Sequence, residues 1–351
     1  MFSKPLDASA QAAYAQLLDV ARHEELSRSI ENLSGSFNRK AVHGSVYWYY
    51  QYTDVSTSKV RQIFVGPESD PKVGELVRRS RQKDHGQVAR LAKAAIALGC
   101  SSAIPVHFRI IRRLNEVGFF GAGGLLVGTH AFLAYGNALG VSWGDLARTQ
   151  DLDFAHAGQA IELALPGTLR IKTKSVIESL EAGFLPTPGF RPWEKTATFA
   201  SKSDKTLKVD FLAPMVRGGD EVYEHEQLGV NLQPLRFMEF ILEDVTQAVA
   251  LSSVGACVVT VPDPARFALH KVIVHVERRE RFPQKAAKDL KQAAALIEVI
   301  GYDQMDRLEI LWKNICARGP GWRNRARKGL AALKRIAPQM PALEMMRAAE
   351  T

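Results

Sequence analysis

The sequence predicts an α+β fold: a mixed β-sheet core with helices, a C-terminal helical domain, and an N-terminal helical region carrying a β-hairpin. Three observations predict it. Residues 119–263 alternate short apolar runs with helically spaced segments, broken by glycines. From Pro264 onward the pattern is helical throughout. In the N-terminal stretch, one aromatic run at 45–52 interrupts otherwise helical texture.

The elements follow in order. Apolar spacing at Ala13, Leu17, Leu18 and Ala21 predicts a helix from about Ala8 to Leu33. Ser45 to Tyr52, rich in Tyr and Trp, reads as a strand. A polar turn at 53–58 leads to a second strand, Lys59 to Val65, which Gly66-Pro67 ends; the two form the hairpin. Pro71 to Leu98 reads as a long charged helix, and Val106 to Val117 as another carrying Arg109, Arg112 and Arg113. Gly118 and the cluster 121–124 break the chain, which places a first region at 1–118.

The second region, 119–263, holds a strand at 125–127, a glycine break at Gly128, and a helix with Ala131, Phe132 and Tyr135. Asp151 to Phe154 is the next strand, 163–171 is loop or short strand, and Lys174 to Ala182 is a helix. Thr196 to Ala200 and Thr206 to Leu212 read as a strand pair; strands near 248–251 and 256–261 are expected to extend the sheet. The third region, 264–351, holds helices from Phe267 past Val276, over 285–300, 303–316 and 325–336.

Composition narrows the function classes. At 351 residues, 46% hydrophobic and 24% charged, the chain is an ordinary soluble globular sequence, long enough for more than one domain. Cys100, Cys257 and Cys316 are odd in number and far apart, so neither a disulfide framework nor a zinc pattern fits. The N-terminus has no basic-then-apolar leader pattern and no apolar run reaches bilayer length. These features lead us to expect a cytoplasmic protein without membrane partners. The net charge of +9 favours a polyanionic partner, nucleic acid first, with solvated helix faces as the plain alternative.

The run Thr149-Gln150-Asp151-Leu152-Asp153-Phe154 carries the most chemistry. On a strand, Asp151 and Asp153 point the same way and Leu152 the other. Two adjacent carboxylates repel, and a divalent cation between them relieves this; hard oxygen ligands select Mg²⁺ or Mn²⁺. Asp210, flanked by Val209 and Phe211, is placed to complete the set from a neighbouring strand. Gly128 permits a sharp bend and close approach of a phosphate, Thr129 supplies a hydroxyl, and the amides opening the next helix form an anion site. A triphosphate with its metal fits between that turn and the acids, for in-line attack at the α-phosphorus.

Gly128-Thr129, Asp151-x-Asp153 and the later Asp210 resemble the signature of the DNA polymerase β-type nucleotidyltransferase superfamily: glycine-serine, aspartate-x-aspartate, then a third aspartate. Thr129 departs from the serine of that pattern; its hydroxyl survives, and its methyl crowds the phosphate. The resemblance implies a nucleotidyltransferase-type sheet core. It assigns Gly128 and Thr129 to the triphosphate and Asp151, Asp153 and Asp210 to metal, with the third acid also activating the incoming hydroxyl. The stretches Phe267–Lys271, Glu277–Arg279 and Lys285–Leu290 are similar to the helical tail of bacterial abortive-infection, toxin-type nucleotidyltransferases. By that likeness Lys271 contacts the triphosphate and Lys288 and Asp289 line or brace the cleft; the acceptor it points to is RNA or tRNA, with a protein hydroxyl or a small molecule as the alternatives, and it is compatible with an antitoxin protein as partner.

Plainer roles remain open at several positions. His130 suits a cap or packing residue as well as a phosphate contact. Lys271 also suits a helix surface. Arg278 and Arg279, between Glu277 and Glu280, read as a solvated ion-pair face. The aromatic run at 47–52 suits packing against helices, with base stacking the alternative. The basic stretch 318–335 around Trp322 suits either RNA phosphates or a solvated helix face. The function expected is metal-dependent transfer of a nucleoside monophosphate from a nucleoside triphosphate to an acceptor hydroxyl. The competing reading is a non-catalytic nucleotide- or nucleic-acid-binding module.

Overall fold

The computed structural model describes residues 2–30, 35–42, 44–54, 59–71, 73, 74, 77, 86–157, 173–178, 180, 183–187, 195–215, 219 and 221–349. The chain opens with β1 (Lys4–Pro5) and α1 (Ala8–Ile30), followed by β2 (Gly35–Val42), β3 (Ser45–Asp54) and β4 (Lys59–Pro67). Two helices come next, α2 (Gln87–Ala97) and α3 (Pro105–Glu116). The segment that carries the acid motif runs β5 (Gly124–Leu126), α4 (Gly128–Ala138), β6 (Val141–Ser142), a 3₁₀ turn at Gly144–Ala147, and β7 (Asp151–His156). After α5 (Thr173–Glu178) come β8 (Phe184–Pro186), β9 (Thr198–Ser201), β10 (Lys208–Pro214), β11 (Tyr223–His225) and β12 (Val230–Leu235). The short helix α6 (Glu239–Leu242) precedes the hairpin β13 (Val245–Ser252) and β14 (Gly255–Pro262). Helices α7 (Pro264–Arg278), α8 (Pro283–Asp303), α9 (Met305–Ala317), α10 (Pro320–Ile336) and α11 (Ala342–Ala348) complete the chain.

The central sheet has seven described strands, ordered β11-β12-β10-β7-β5, with β9 and β8 joined at one edge. Strand β10 is its axis. One edge of β10 pairs in parallel with β7. Its other edge is shared: β9 runs antiparallel along Lys208–Asp210, and β12 runs parallel along Leu212–Pro214. Leu152, Phe154, Val209, Phe211 and Phe199 fill one face of this sheet and are essentially buried. Phe154 and Phe211 stack with centroids 5.6 Å apart, and Phe119 meets both edge-on. That apolar face fixes the register, because slipping one residue would turn these rings to solvent.

The expectation that 248–251 and 256–261 extend the central sheet is overturned. Among the described residues strands β13 and β14 pair only with each other, as a separate two-stranded sheet. Both of its faces are covered. Ala248, Ala250, Cys257 and Val259 join the main core, while Val249, Leu251 and Val258 join a second cluster with α1 and α2. Backbone Val249 N–H donates to the Tyr14 hydroxyl at 3.1 Å, which ties α1 to the hairpin's outer side. A sheet edge extended onto β5 would have left that outer face bare.

The N-terminal hairpin has a third strand. β2 pairs antiparallel with β3 along its whole length, although Gly35-Ser36-Phe37-Asn38-Arg39-Lys40 has little strand character of its own. Pairing with an aromatic strand supplies what propensity does not. Strands β8, β11 and β12 were likewise not legible; Pro234 inside β12 argues against a strand, yet it sits at the segment paired to β10. The anticipated long helix over 71–98 is described as helical at α2, and residues 72, 75, 76 and 78–85 lie outside the described residues, as do the turn at 55–58 and the loop at 163–171. The expected helix 174–182 is described as α5, with 179, 181 and 182 outside.

The C-terminal helices start where local chemistry dictates. Asp263 caps α7, accepting from the backbone N–H of Ala265 (3.1 Å) and Arg266 (3.0 Å), and Pro264 follows at the first helical position. Pro283 and Pro320 likewise stand at the starts of α8 and α10, without a side-chain cap. Helix α10 crosses α7 at Gly329, where a Cβ would meet the Val272 carbonyl oxygen at 2.7 Å. One hydrophobic core, from Ala103 to Met346, joins these helices to the central sheet. No helix among the described residues is long and apolar enough to cross a membrane. The three cysteines are buried and none is in a disulfide.

Phe211 is fully buried beside Asp210 and holds the β7–β10 register. Phe211→Ala is expected to cost about 3–5 kcal/mol in urea unfolding, with the slope of the transition unchanged.

Candidate active site

Parallel pairing of β7 with β10 places Asp153 directly beside Asp210, and Asp151 beside Lys208. The same row continues onto β9, where Thr198 lies opposite Asp210 and its hydroxyl donates to Asp210 Oδ1. Asp151, Asp153 and Asp210 therefore share one face of the sheet, and Val209 and Phe211 point into the core as anticipated.

Gly128 closes in on this row. It follows β5 with φ +63°, and a Cβ there would lie 2.1 Å from Asp153 Oδ2. Any other residue would be both strained and displaced by the carboxylate. The turn is also bonded to the acid strand, since Val127 N–H donates to the Asp153 carbonyl at 2.9 Å. Glycine thus allows the first turn of α4 to lie directly against the acid.

The acids face helices α7 and α8 across a cleft of about 470 Å³. Gly128, Thr129, Asp151, Asp153, Lys271 and Lys288 all line it. Asp210 does not line it; it sits behind, next to Asp153. Six cations line the cleft against four carboxylates, a surplus that favours an anionic ligand. One wall is apolar, formed by Leu212, Met215, Leu235, Met238, Ile241 and Phe267. The space falls in the range of ligand sites, with a charged end and an apolar end.

Burial raises the Asp153 carboxyl to about 6; the charges of Asp210 and Asp151 add to this, while Arg278 and Lys271 oppose it. Asp210 is also raised by burial, partly offset by the Thr198 hydrogen bond. Asp151 has a different partner. Lys285 Nζ donates to Asp151 Oδ2 at 2.9 Å, and although burial works against that ammonium, this bond and Asp151's charge hold its pKa above the usual lysine range.

Lys271 is not a surface lysine. Its Nζ lies 2.5 Å from Asp289 Oδ1, and Arg278 Nη1 lies 2.8 Å from Asp289 Oδ2, so one buried carboxylate holds two cations. Burial would raise the Asp289 carboxyl, but these two charges keep it below the usual carboxylate range. The reading of Arg278 as part of a solvated face is corrected here: it lines the cleft and braces Asp289. Lys288 donates to the Arg148 carbonyl at 2.5 Å, and its pKa is lowered by burial and by the charge of Lys271. His130 packs rather than binds: it is buried, with Nε2 3.0 Å from His107 Nδ1, and burial lowers the two imidazoles to about 3 and 4. Within the 318–335 stretch Trp322 meets Phe237 and Phe240 edge-on, and Arg325 pairs with Glu277.

Several lining residues escaped the sequence reading. On α7, residues 267, 270, 271, 274 and 278 form one helical stripe facing the cleft, Arg281 follows just past its end, and on α8 Lys285 lies one turn before Lys288. That periodicity was visible, but nothing in it said which helix face meets the sheet. Thr198 and Arg236 carried no signal.

The site is thus a mixed sheet that presents three acids on one face, closed by a glycine turn at a helix start. The family described as nucleotidyltransferase matches residues 106–317, and the chain belongs to that family. A search of curated proteins gives no match. Among solved structures, the crystal structure of an antigenic nucleotidyltransferase-like protein from Paracoccidioides brasiliensis is similar over 67% of this chain and 92% of that one, at 12% identity and a TM-score of 0.35.

Asp153 and Gly128 give two expected outcomes. The native state holds the Asp153 proton more tightly than the unfolded chain, so its contribution to stability falls as pH rises from about 4 to about 6. Asp153→Asn should therefore gain stability over the parent above pH 6, by about 1–2 kcal/mol in urea titrations, and lose that advantage below pH 4. Gly128→Ala should displace Asp153; a crystal structure showing the carboxylate unmoved would contradict the contact.

Proposed function

We propose that this cleft transfers a nucleoside monophosphate from a nucleoside triphosphate to an acceptor hydroxyl, with RNA as the acceptor. The observation that carries the reading is the in-register pair Asp153 and Asp210, with Asp151 on the same face, set against the Gly128 turn and opposite the cations of α7 and α8. Gly128, Thr129 and the opening amides of α4 take the phosphates at one end. Lys271 and Lys288 neutralise them from the other, and the apolar wall around Met215 and Met238 receives the base.

The acceptor oxygen bonds to the α-phosphorus, the bond from that phosphorus to the bridging oxygen breaks, and pyrophosphate leaves. The acceptor proton passes to Asp210, which lies beside Asp153 at the back of the cleft and which burial makes more basic than an ordinary carboxylate.

The donor set fits a hard divalent cation. Asp153 is half-buried, crowded by two like charges, and has no ion-pair partner among the described residues. Among the described residues no three His, Cys, Asp or Glu side chains are gathered as a finished cage. Asp151 and Asp153 line the cleft and would hold Mg²⁺ or Mn²⁺, with Asp210 behind them and Lys285 released from Asp151. Bound there, the ion supplies charge neutralisation for the triphosphate.

The Lys285–Asp151 bond supports a second reading, in which the ammonium permanently replaces a cation and the cleft binds nucleotide without turnover. Calorimetry with each triphosphate, with and without Mg²⁺, separates the two. Metal-independent binding and no transfer in any acceptor screen would favour the binder.

With labelled triphosphate and total RNA, the parent is expected to label RNA, and the double variant Asp151→Asn/Asp153→Asn to fall at least about a thousandfold while unfolding at an unchanged urea midpoint or higher. An equally active double variant would end the assignment. Lys288→Ala should raise KM for the triphosphate about tenfold or more, with a smaller change in kcat. Label appearing only in protein bands would exclude the RNA acceptor.

A further inference from the structure

The β2–β3–β4 sheet has two unlike faces. On the inner face Trp48 is 6% exposed and packs with Phe37, Val65, Val73 and Val77. The outer face follows from the register: Asn38 pairs with Tyr49, Lys40 with Tyr47, Tyr49 with Phe64, and Gln51 with Gln62. Tyr47, Tyr49 and Phe64 cluster there, with ring centroids 5.7 and 5.5 Å apart, and Lys40 Nζ lies 5.1 Å from the Tyr49 ring centre. Among the described residues no helix covers this cluster: Phe64 is 55% exposed and Val60 61%. The expectation that the aromatics pack against helices holds for Trp48 and fails for the rings on the other side.

An aromatic group left in water on a sheet with a core of its own needs a ligand to account for it. The chemistry on the face selects one. Flat rings offer stacking surfaces to bases of any identity. Lys40 is held by the Gln62 amide and not by a carboxylate, and among the described residues of this face there is no acid. Asn38 and Gln62 both donate to Gln51 Oε1, which leaves the Gln51 amide hydrogens and the Asn38 carbonyl outside this ladder. Those groups suit a ribose 2′-hydroxyl. A protein partner has no comparable need for stacked rings beside an unopposed cation.

We propose that this face binds single-stranded RNA by stacking bases on Tyr47, Tyr49 and Phe64, with Lys40 on the backbone. In naming the RNA as the strand that receives the nucleotide, the proposal rests on the transfer reading; the binding itself does not.

Fluorescence anisotropy with a labelled twelve-nucleotide single-stranded RNA, without triphosphate or divalent ions, tests it. The parent is expected to bind, and Tyr49→Leu and Phe64→Leu, which keep apolar bulk and the sheet's circular dichroism, to bind about tenfold more weakly or worse. Tyr49→Phe, which keeps the ring, should match the parent. Lys40→Ala should weaken binding and reduce its salt dependence. Tyr49→Leu and Phe64→Leu should bind triphosphate in calorimetry like the parent, so loss of the platform and failure of the cleft are read separately. The proposal is overturned if the parent does not bind, if the leucine variants bind as well as the parent, or if they change only the oligomeric state. Equal weakening by Tyr49→Phe would also overturn it, as would preference for a single-stranded DNA of the same sequence.

Discussion

One constraint organises the molecule: two carboxylates, Asp153 and Asp210, are held side by side on adjacent parallel strands. Parallel neighbours cannot be joined by a tight turn, so the chain must leave β7 and return before it lays down β10. The repulsion is tolerated because the opposite face of the same strands is dry. Phe154 and Phe211 stack there, and any slip that separated the acids would expose those rings. Apolar packing on one side thus enforces an unfavourable pairing on the other, as in sites where binding later offsets the cost.

The C-terminal helices supply the compensating charge. A carboxylate as buried as Asp289 is costly unless paired, and here it is paired twice. The triad fixes Lys271 and Arg278 in the cleft wall, while Lys285 reaches the sheet at Asp151 and Lys288 reaches the Arg148 carbonyl. The helices and the sheet accordingly share one core and one cleft. A backbone outlier marks the rim of that cleft. Phe237 has φ 69°, an uncommon state for an aromatic residue, and it is clamped by Trp322 at 4.6 Å and Arg325 at 4.8 Å. The clamp sets its neighbours Arg236 and Met238 into the cleft lining.

What was legible in the sequence had a local cause. The alternation of Asp151, Leu152 and Asp153 assigns faces on any strand, and the flanks of Asp210 do the same. Gly128 announced a bend, and helical spacing announced the helices that follow Pro264. The aromatic run was half legible, since alternation says that two faces exist and not which is covered.

What the sequence by itself determined is therefore the set of elements with strong local signatures and the side on which each acid stands. Only the tertiary structure decided that Asp153 pairs with Asp210 while Asp151 pairs with Lys208, that β13–β14 forms its own sheet between two cores, and that Arg278 braces a buried Asp289. The physical reason is range. Face and bend are set by the dihedral preferences of a few consecutive residues, whereas register, pairing and burial are set by contacts between residues scores of positions apart, whose energies no local window contains.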